Sequence, residues 1–455
     1  MNLLRVSSYI ILVELADKKT MLIHGYSGAI DIVTSDIANL LQQENIQAII
    51  QQGEDTVKIL QRRGYLTLKT KEEEYAYVER MALALHKRDS LIKNSFTIVV
   101  TYNCNFRCPY CFEKNSILED KRSACFTPEM VDKAYLFIKD IQPNENLRAK
   151  QIVLFGGEPL LKENKDIVSY IIEKGKLLNF TFSAITNGYD LEAYFDLLAP
   201  NSINHVQITI DGTETMHNSK RIHFQGVPTF KKIVTNIGEA LKRDISVTVR
   251  FNTDKKNFDE LEDLEKLFNE MHYTDNPHFI IDSARLINYE KHSAQDNVHN
   301  FLTPEEFINK HSQLNFKYGC HDFGAYDMIY SSIIKQVPIQ YRPTFCGAQT
   351  GSYVLDPLGK IYTCWDLVGK KDFQIGDYSS QPTQWNTEML NQWRKNDITQ
   401  YASCSTCKCA LLCGGGCLAH NLDKHKCTHM LNIINYAAHR AYNKFKSKSK
   451  VYERE

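Results

Sequence analysis

Between residues 96 and 287 the sequence alternates six times between a short apolar stretch and a longer stretch of helical character. The apolar stretches read "FTIVVTYNC", "QIVLFGGEP", "FTFSAITNG", "HVQITIDG", "ISVTVRFNTD" and "FIIDSARLI". Strands that alternate with helices form a parallel sheet covered by helices, so an α/β fold is predicted for residues 93–315. Such folds build their sites at the carboxyl ends of the strands, where this sequence places cysteine, glycine and polar residues.

The charge of the chain is balanced, with 54 Lys and Arg residues against 54 Asp and Glu residues. A neutral chain lacks the field that attracts nucleic acid or an anionic membrane, so we expect neither partner. No apolar run approaches the roughly 18 residues of a membrane-spanning helix, and the first residues lack the regions of a signal peptide. The sequence therefore predicts a cytoplasmic protein.

Three cysteines follow the first predicted strand with the spacing C-x3-C-x2-C, namely Cys104, Cys108 and Cys111. Thirteen cysteines in a cytoplasmic chain favour metal binding over disulfides. Thiolate sulfur suits iron–sulfur clusters or zinc, and three thiolates are one ligand short of a closed site. From these residues alone, a zinc site completed by a distant histidine and an iron–sulfur cluster with an open position both remain.

The cysteine spacing, with the aromatic Tyr110 before the third cysteine, resembles the radical S-adenosylmethionine superfamily. The resemblance implies a partial (β/α)6 TIM-type barrel and a 4Fe–4S cluster whose open iron binds the amino and carboxylate groups of S-adenosylmethionine. It also implies contacts to that cosubstrate from the segment that carries the cysteines and from the next four strands. The residues implied are Tyr110, Gly156, Gly157, Glu158, Pro159, Asn187, Thr209 and Arg250. A tight turn is the alternative for "GGEP". A structural ion pair is the alternative for Arg250, because an arginine on a buried strand needs a carboxylate partner.

Further cysteines lie towards the C-terminus, in "FCGAQTGSYVLDPLGKIYTCWD" and "CSTCKCALLCGGGC". Alone they suggest a zinc ribbon, but behind the first motif they resemble the SPASM extension, which carries two auxiliary 4Fe–4S clusters. The resemblance assigns Cys346, Cys364 and Cys417 to the first cluster. It assigns four others to the second: Cys404, Cys407, Cys413 and Cys427.

The first auxiliary cluster is then one ligand short. It is either open or closed by Cys320 or Cys409. An open iron can bind a substrate thiolate, and a water or another ligand is the alternative. Cys125 is interpreted as a small buried apolar residue. The run Gly414-Gly415-Gly416 permits close backbone packing beside a cluster. Residues 316–455 are predicted to form a bridging region and this SPASM domain.

Residues 1–92 show short strands and two short helices, the second ending at Gly64. This order resembles the winged-helix element that captures a leader peptide by adding it as a strand to a sheet edge. A plain interaction or dimerisation domain is the alternative.

Taken together, the resemblances predict an oxidoreductase, a radical enzyme that matures ribosomally made peptides. A cysteine thioether crosslink is the expected product, with Asp366 as candidate base and flavodoxin or ferredoxin as electron donor. The alternatives are a formylglycine-generating sulfatase maturase and a carbon–carbon crosslinking maturase. A non-catalytic iron–sulfur or zinc scaffold is a third, which cleavage of S-adenosylmethionine would exclude.

Overall fold

The structure is a computed structural model that describes residues 3–92, 95–115, 123–287, 300–420 and 430–452. Its first segment contains the strands β1 (Arg5–Val6), β2 (Ile10–Leu15), β3 (Lys19–His24), β4 (Ile30–Thr34) and β5 (Leu66–Thr67). The helices of this segment are α1 (Ser35–Gln42), α2 (Ile46–Ile50), α3 (Glu54–Arg63) and α4 (Lys71–Leu91). Strands β2, β3 and β4 form an antiparallel sheet, and β1 pairs with β5. Helix α3 ends at Gly64 as predicted, and the φ of +94° at this residue is left-handed.

Six parallel strands follow: β6 (Ser95–Thr101), β7 (Gln151–Gly156), β8 (Thr181–Thr186), β9 (Ile203–Thr209), β10 (Ser246–Thr253) and β11 (Phe279–Arg285). They pair side by side in the order of the sequence. The accompanying helices are α5 (Pro128–Ile141), α6 (Lys165–Lys176), α7 (Glu214–Lys220), α8 (Phe230–Leu241), α9 (Glu260–Glu270) and α10 (Pro304–Gln313). The predicted α/β fold with six parallel strands is confirmed.

The remaining elements begin with α11 (Ala325–Lys335) and the strands β12 (Ser352–Leu355), β13 (Lys360–Tyr362), β14 (Gly376–Asp377) and β15 (Gln384–Trp385). Strand β12 pairs in parallel with β6, and β13, β14 and β15 continue from it as antiparallel neighbours. The sheet therefore has ten strands. The last helices are α12 (Thr387–Arg394), α13 (Ala402–Ser405), α14 (Ala410–Cys413) and α15 (Met430–Tyr452).

The two faces of the parallel strands differ in chemistry. Phe182 of β8 packs on Gly175 of α6, so its face is covered by helices. Successive side chains of a strand alternate in direction. The residues next to Phe182, and those paired with them in the other strands, therefore point to the opposite face, which we call the inner face. The strand register places six side chains there: Val99, Phe155, Ile185, Gln207, Arg250 and Asp282. The inner face is thus apolar near β6 and charged near β10.

The chain divides into two compact units. The sheet unit, residues 91–321 and 350–394, contains the ten-stranded sheet. The terminal unit joins residues 1–90 to residues 322–349 and 395–455. Within it the Tyr9 hydroxyl donates to the Ser405 carbonyl at 2.7 Å, and the Gly28 N–H donates to the Tyr341 hydroxyl at 2.8 Å. Among the residues described, no helix has the length and apolar content needed to cross a bilayer.

His24, at the end of β3, is a fully buried histidine of the terminal unit. Its Nδ1 accepts hydrogen bonds from the backbone N–H groups of Tyr26 (3.3 Å) and Ser27 (3.0 Å). Its Nε2 lies 3.0 Å from the hydroxyl of Ser7. Burial lowers the pKa of His24 from 6.5 to about 4, and protonation of Nδ1 would remove its ability to accept these bonds.

We therefore expect the terminal unit to lose up to about 3 kcal/mol of stability as the pH falls from 6.5 to about 4. The unfolded chain takes up the His24 proton at the higher pH, so acidification favours unfolding across this window. Urea unfolding at several pH values measures the effect. His24→Gln should lower the free energy of unfolding at neutral pH and flatten its dependence on pH. Replacement of the exposed His272, His272→Gln, should do neither. An unchanged slope in His24→Gln would contradict the assignment.

Candidate functional site

The first three predicted cysteines lie in the loop after β6, residues 102–115, which we call the cysteine loop. Cys108 is buried and Cys111 is exposed at the loop surface. The backbone N–H of Phe106 donates to the Cys104 sulfur at 3.3 Å, and the N–H of Cys111 donates to the Cys108 carbonyl at 3.2 Å. Burial raises the pKa of the Cys104 and Cys108 thiols. A thiolate here therefore needs a nearby positive centre.

The glycines of "GGEP" contact the backbone of the cysteine loop. A Cβ on Gly156 would collide with the Thr101 carbonyl, and a Cβ on Gly157 would collide with the carbonyls of Asn103 and Tyr102, the latter at 2.6 Å. The N–H of Gly157 donates to the Thr101 carbonyl at 3.0 Å. The sequence predicts a close backbone approach to a ligand. The structure shows that the glycines also permit close packing against the segment that carries the cysteines.

Glu158 connects the same loop to the end of β8. Its backbone N–H donates to the Asn103 carbonyl at 2.8 Å. Its buried carboxylate accepts hydrogen bonds from the Thr186 hydroxyl and the Asn187 N–H, both at 2.6 Å, and from the Leu160 N–H at 2.9 Å. Burial raises the pKa of Glu158 to about 7, although these bonds oppose the shift.

Asn187 completes the connection to the cysteine loop. Its side-chain amide donates to the Asn105 side-chain oxygen at 2.7 Å. Pro159 contributes its carbonyl to the Asn164 amide at 3.3 Å. The structure thus brings Glu158 and Asn187 together beside the cysteines, and the segment is more than an isolated turn.

Tyr110 belongs to a polar group that the sequence does not predict. Its hydroxyl donates to the fully buried Asp211, which also accepts from the Asn252 N–H at 3.0 Å. Nη1 of Arg221 donates to the Tyr110 hydroxyl at 3.2 Å. Among the residues described, the buried Nε of Arg221 has no hydrogen-bond partner. Although burial opposes the shift, electrostatic interactions with the acidic side chains nearby, Cys108 first and then Tyr110 and Asp211, raise the pKa of Arg221.

Arg221 follows α7, and no pattern in a single sequence separates it from an ordinary surface arginine. Asp211 lies within the "TIDG" stretch that marks the end of a strand, so its position was identifiable although its role was not.

Arg250 lies on the inner face in an ion pair. Its Nη2 is 3.0 Å from the Asp282 carboxylate and donates to the Gln207 side chain at 3.1 Å. His321 contacts the same carboxylate through Nδ1 at 3.1 Å. The strand register places Thr209 beside Arg250. This environment matches the structural ion pair named as the alternative for Arg250.

Asp366, the candidate base, lies in a short 3₁₀ turn, Trp365–Leu367, directly after Cys364. The neighbouring Trp365 stacks on Phe155 of the inner face, with ring centroids 5.9 Å apart and planes inclined by 28°. Asp366 therefore follows a residue of the apolar end of that face. Its role as a base stays a prediction.

The C-terminal cysteines divide between the units. Cys364 belongs to the sheet unit, and five others belong to the terminal unit: Cys346, Cys404, Cys407, Cys413 and Cys417. Cys427 lies outside the described residues. Gly414, with a φ of +73°, packs so closely on Thr344 that a Cβ would collide with its carbonyl. This contact is with the Thr344 backbone, and packing of the glycine run beside a cluster stays a prediction.

The three cysteines left over from the predicted ligand sets have distinct surroundings. Cys409 forms a hydrogen bond with Cys407, which lowers the pKa of the Cys407 thiol to about 6. Cys320 is buried and pairs by its backbone with Ser283 of β11. Cys125 is half-buried, and its thiol lies 3.6 Å from the Asn164 side-chain oxygen. Among the residues described, no three His, Cys, Asp or Glu side chains are arranged to hold a single metal ion.

Residues 98–268 match the profile of the Radical SAM superfamily. This span begins in β6, ends in α9 and includes the cysteine loop and the "GGEP" segment. The chain therefore carries a radical SAM domain over these residues, as its cysteine spacing predicts.

Three relatives show how far the similarity extends. A cysteine-type anaerobic sulfatase-maturating enzyme of Clostridium novyi is 23% identical over 332 residues, which cover 69% of this chain and 85% of that protein. Native anSMEcpe with bound AdoMet and Cp18Cys peptide is 17% identical, with a TM-score of 0.57 over 78% of this chain and 99% of that one. Streptococcus suis SuiB bound to precursor peptide SuiA is 14% identical, with a TM-score of 0.50 over 94% and 99%. These structures share the fold of this chain.

Proposed function

We propose that this enzyme is a peptide maturase of the SPASM class that cleaves S-adenosylmethionine reductively and crosslinks a ribosomally made precursor peptide. A thioether from a cysteine sulfur is the proposed bond. The observation that carries the proposal is the cysteine loop, whose three thiols lie on a segment fixed by contacts to Gly157 and Glu158. The similarity of fold to SuiB, a protein bound to a precursor peptide in its structure, covers 94% of this chain and supports a peptide substrate.

Cys104, Cys108 and Cys111 would hold the 4Fe–4S cluster of the radical domain. Their fit rests on the donor set: three thiols within eight residues, with an N–H aimed at the Cys104 sulfur. When bound, the cluster and S-adenosylmethionine supply the adenosyl radical that removes hydrogen from the substrate. The residues of this chain bind and orient these groups, and Gly156 and Gly157 keep the loop in place. A flavodoxin or ferredoxin is the proposed electron donor.

Arg221 is the proposed partner of the cosubstrate carboxylate. A guanidinium with a buried and unused N–H is suited to donate a hydrogen bond to a carboxylate, and its Nη1 is already held beside the cysteine loop by the bond it donates to Tyr110. Arg250, by contrast, is already engaged by Asp282 at 3.0 Å. The carboxylate role is therefore proposed for Arg221 in place of Arg250.

We expect Arg221→Gln to weaken binding of S-adenosylmethionine by about tenfold to a hundredfold, because hydrogen bonds to charged groups contribute about 1.5–3 kcal/mol. Titration calorimetry on reconstituted protein measures this, with iron content as the check that the cluster is retained. Arg250→Gln is the matched control and should change the Kd by less than about threefold. A larger loss in Arg250→Gln than in Arg221→Gln would return the role to Arg250.

The N-terminal strands are proposed to bind the leader of the precursor. The antiparallel sheet of β2, β3 and β4 has β4 at one edge, and its residues are only partly buried. An edge strand can accept an added peptide strand through backbone hydrogen bonds. A precursor without its leader should therefore be modified less efficiently than the full precursor.

A second candidate, formylglycine formation, is favoured by the match to the sulfatase-maturating enzyme over 85% of that protein's length. The two reactions differ in the fate of sulfur. A thioether crosslink keeps the sulfur and removes two hydrogens from the peptide, whereas conversion of a cysteine to formylglycine removes the sulfur.

The experiment that tests the proposal uses anaerobically reconstituted full-length protein with S-adenosylmethionine and dithionite. Formation of 5′-deoxyadenosine shows radical chemistry. Cysteine-containing peptides encoded beside the gene are then analysed by mass spectrometry. Loss of two hydrogens supports the crosslink, loss of sulfur supports the second candidate, and absence of 5′-deoxyadenosine would refute both.

A further inference from the structure

Trp365 is a large aromatic residue that is 43% exposed although Leu367 and Val368, which follow it, are buried. The 3₁₀ turn holds it in place, because the Val368 N–H donates to the Trp365 carbonyl at 3.2 Å and Val368 is fully buried. One side of the indole stacks on Phe155. A rigid aromatic ring that keeps part of its surface open is a feature of ligand-binding sites, since little conformational entropy is lost when a ligand covers it.

The surroundings of this ring are apolar. Phe155 belongs to one apolar cluster with five other buried side chains: Val99, Tyr102, Val354, Tyr362 and Val368. Ile185 of the inner face packs against the same cluster. The charged groups of that face, Arg250 and Asp282, lie at the other end, on β10 and β11. The open surface of Trp365 therefore lies beside the apolar end of the inner face.

The aromatic pair is connected to the cysteine loop through the two glycines that follow Phe155. Phe155 directly precedes Gly156, which contacts Thr101 at the end of β6, and Gly157, which contacts the cysteine loop at Tyr102 and Asn103. The aromatic pair thus lies next to the segment proposed to hold the radical-forming cofactors. A substrate peptide bound beside this segment places the side chains next to its reacting residue against Trp365 and Phe155.

We propose that Trp365 and Phe155 form a subsite for an apolar side chain, aliphatic or aromatic, of the substrate peptide, next to the residue that loses hydrogen. This inference rests on the proposed function and adds a sequence preference to it. Trp365 offers a flat apolar surface that the buried Phe155 supports from behind, and a leucine or phenylalanine side chain can cover it whereas a charged side chain cannot without desolvation.

The test measures binding of synthetic decapeptides with one cysteine, in which the adjacent residue is Leu, Phe, Ser or Asp. On reconstituted protein with S-adenosylmethionine, the Leu and Phe peptides should bind at least about tenfold more tightly than the Ser and Asp peptides. Trp365→Ala should remove this preference, and Trp365→Phe should retain most of it. Trp385→Ala is the control, since Trp385 is similarly exposed at 36% and packs against Phe137 and Tyr353.

The binding measurements distinguish a peptide subsite from a contact to the cosubstrate. Equal binding of all four peptides to the wild type, or an unchanged preference in Trp365→Ala, would overturn the subsite. A weaker Kd for S-adenosylmethionine in Trp365→Ala, with peptide preference intact, would assign the ring to the cosubstrate instead. Formation of 5′-deoxyadenosine with dithionite reports the proposed function separately, and it should be unchanged in the control Trp385→Ala. If Trp365→Ala loses iron, the peptide preference is measured in Trp365→Phe and Trp365→Leu instead.

Discussion

Replacing Cys104, Cys108 and Cys111 together by alanine is expected to abolish formation of 5′-deoxyadenosine and to lower the iron content from about twelve to about eight per chain. The three thiols share one loop, so the variant removes one cluster and leaves the C-terminal cysteines untouched. Iron and sulfide analysis of reconstituted protein, together with chromatography of the reaction, measures both effects.

The control for this variant is Cys125→Ala, which removes a half-buried thiol outside the proposed ligand sets. It should keep all the iron and the activity. About four irons in the wild type, with zinc present, would contradict the two auxiliary clusters. A triple variant that still forms 5′-deoxyadenosine would contradict the role of the cysteine loop.

Gly157→Ala is expected to reduce 5′-deoxyadenosine formation by about a hundredfold or more. The added Cβ would lie against the carbonyls of Asn103 and Tyr102, so the cysteine loop must move to admit it. A displacement of about 1 Å in a reacting group costs about a hundredfold in rate. Initial rates with dithionite as reductant measure the loss.

Gly226→Ala is the matched control, because Gly226 also lies in a loop of the sheet unit but has open space where the Cβ would be placed. Its φ of +71° makes the alanine mildly strained without a collision. The variant should keep its rate within about threefold, as a backbone effect of about 1 kcal/mol away from the loop affects stability first. Similar losses in both variants would show that glycine flexibility, and not close packing, explains Gly157.

The parallel strands and the cysteine loop were predictable because their signals are local. Apolar runs such as "QIVLFGGEP" set strand positions, and the cysteine spacing is contained in eight residues. The helix end at Gly64 is likewise a local signal. The glycines of "GGEP" were identified for their freedom of approach, but the segment they approach lies about fifty residues earlier in the chain.

Other features depend on contacts between distant residues and carry no local signal. Arg221 meets Tyr110 across 111 positions, and Arg250 finds its partner Asp282 only through the pairing of β10 with β11. The stacking of Trp365 on Phe155 joins residues 210 positions apart (365 − 155). These pairings follow from the packing of the whole sheet unit, which a single sequence does not reveal.

The terminal unit is built from segments that lie far apart in the sequence, and this affects how it folds during synthesis on the ribosome. Tyr9 is translated 396 residues before its hydrogen-bond partner Ser405. Chains emerge at about 5–20 residues per second, so the N-terminal strands wait at least about 20 seconds for the segment that covers them. During that interval their apolar side chains and edge strand are available to other chains, and chaperone demand should be highest for nascent chains that end before residue 395.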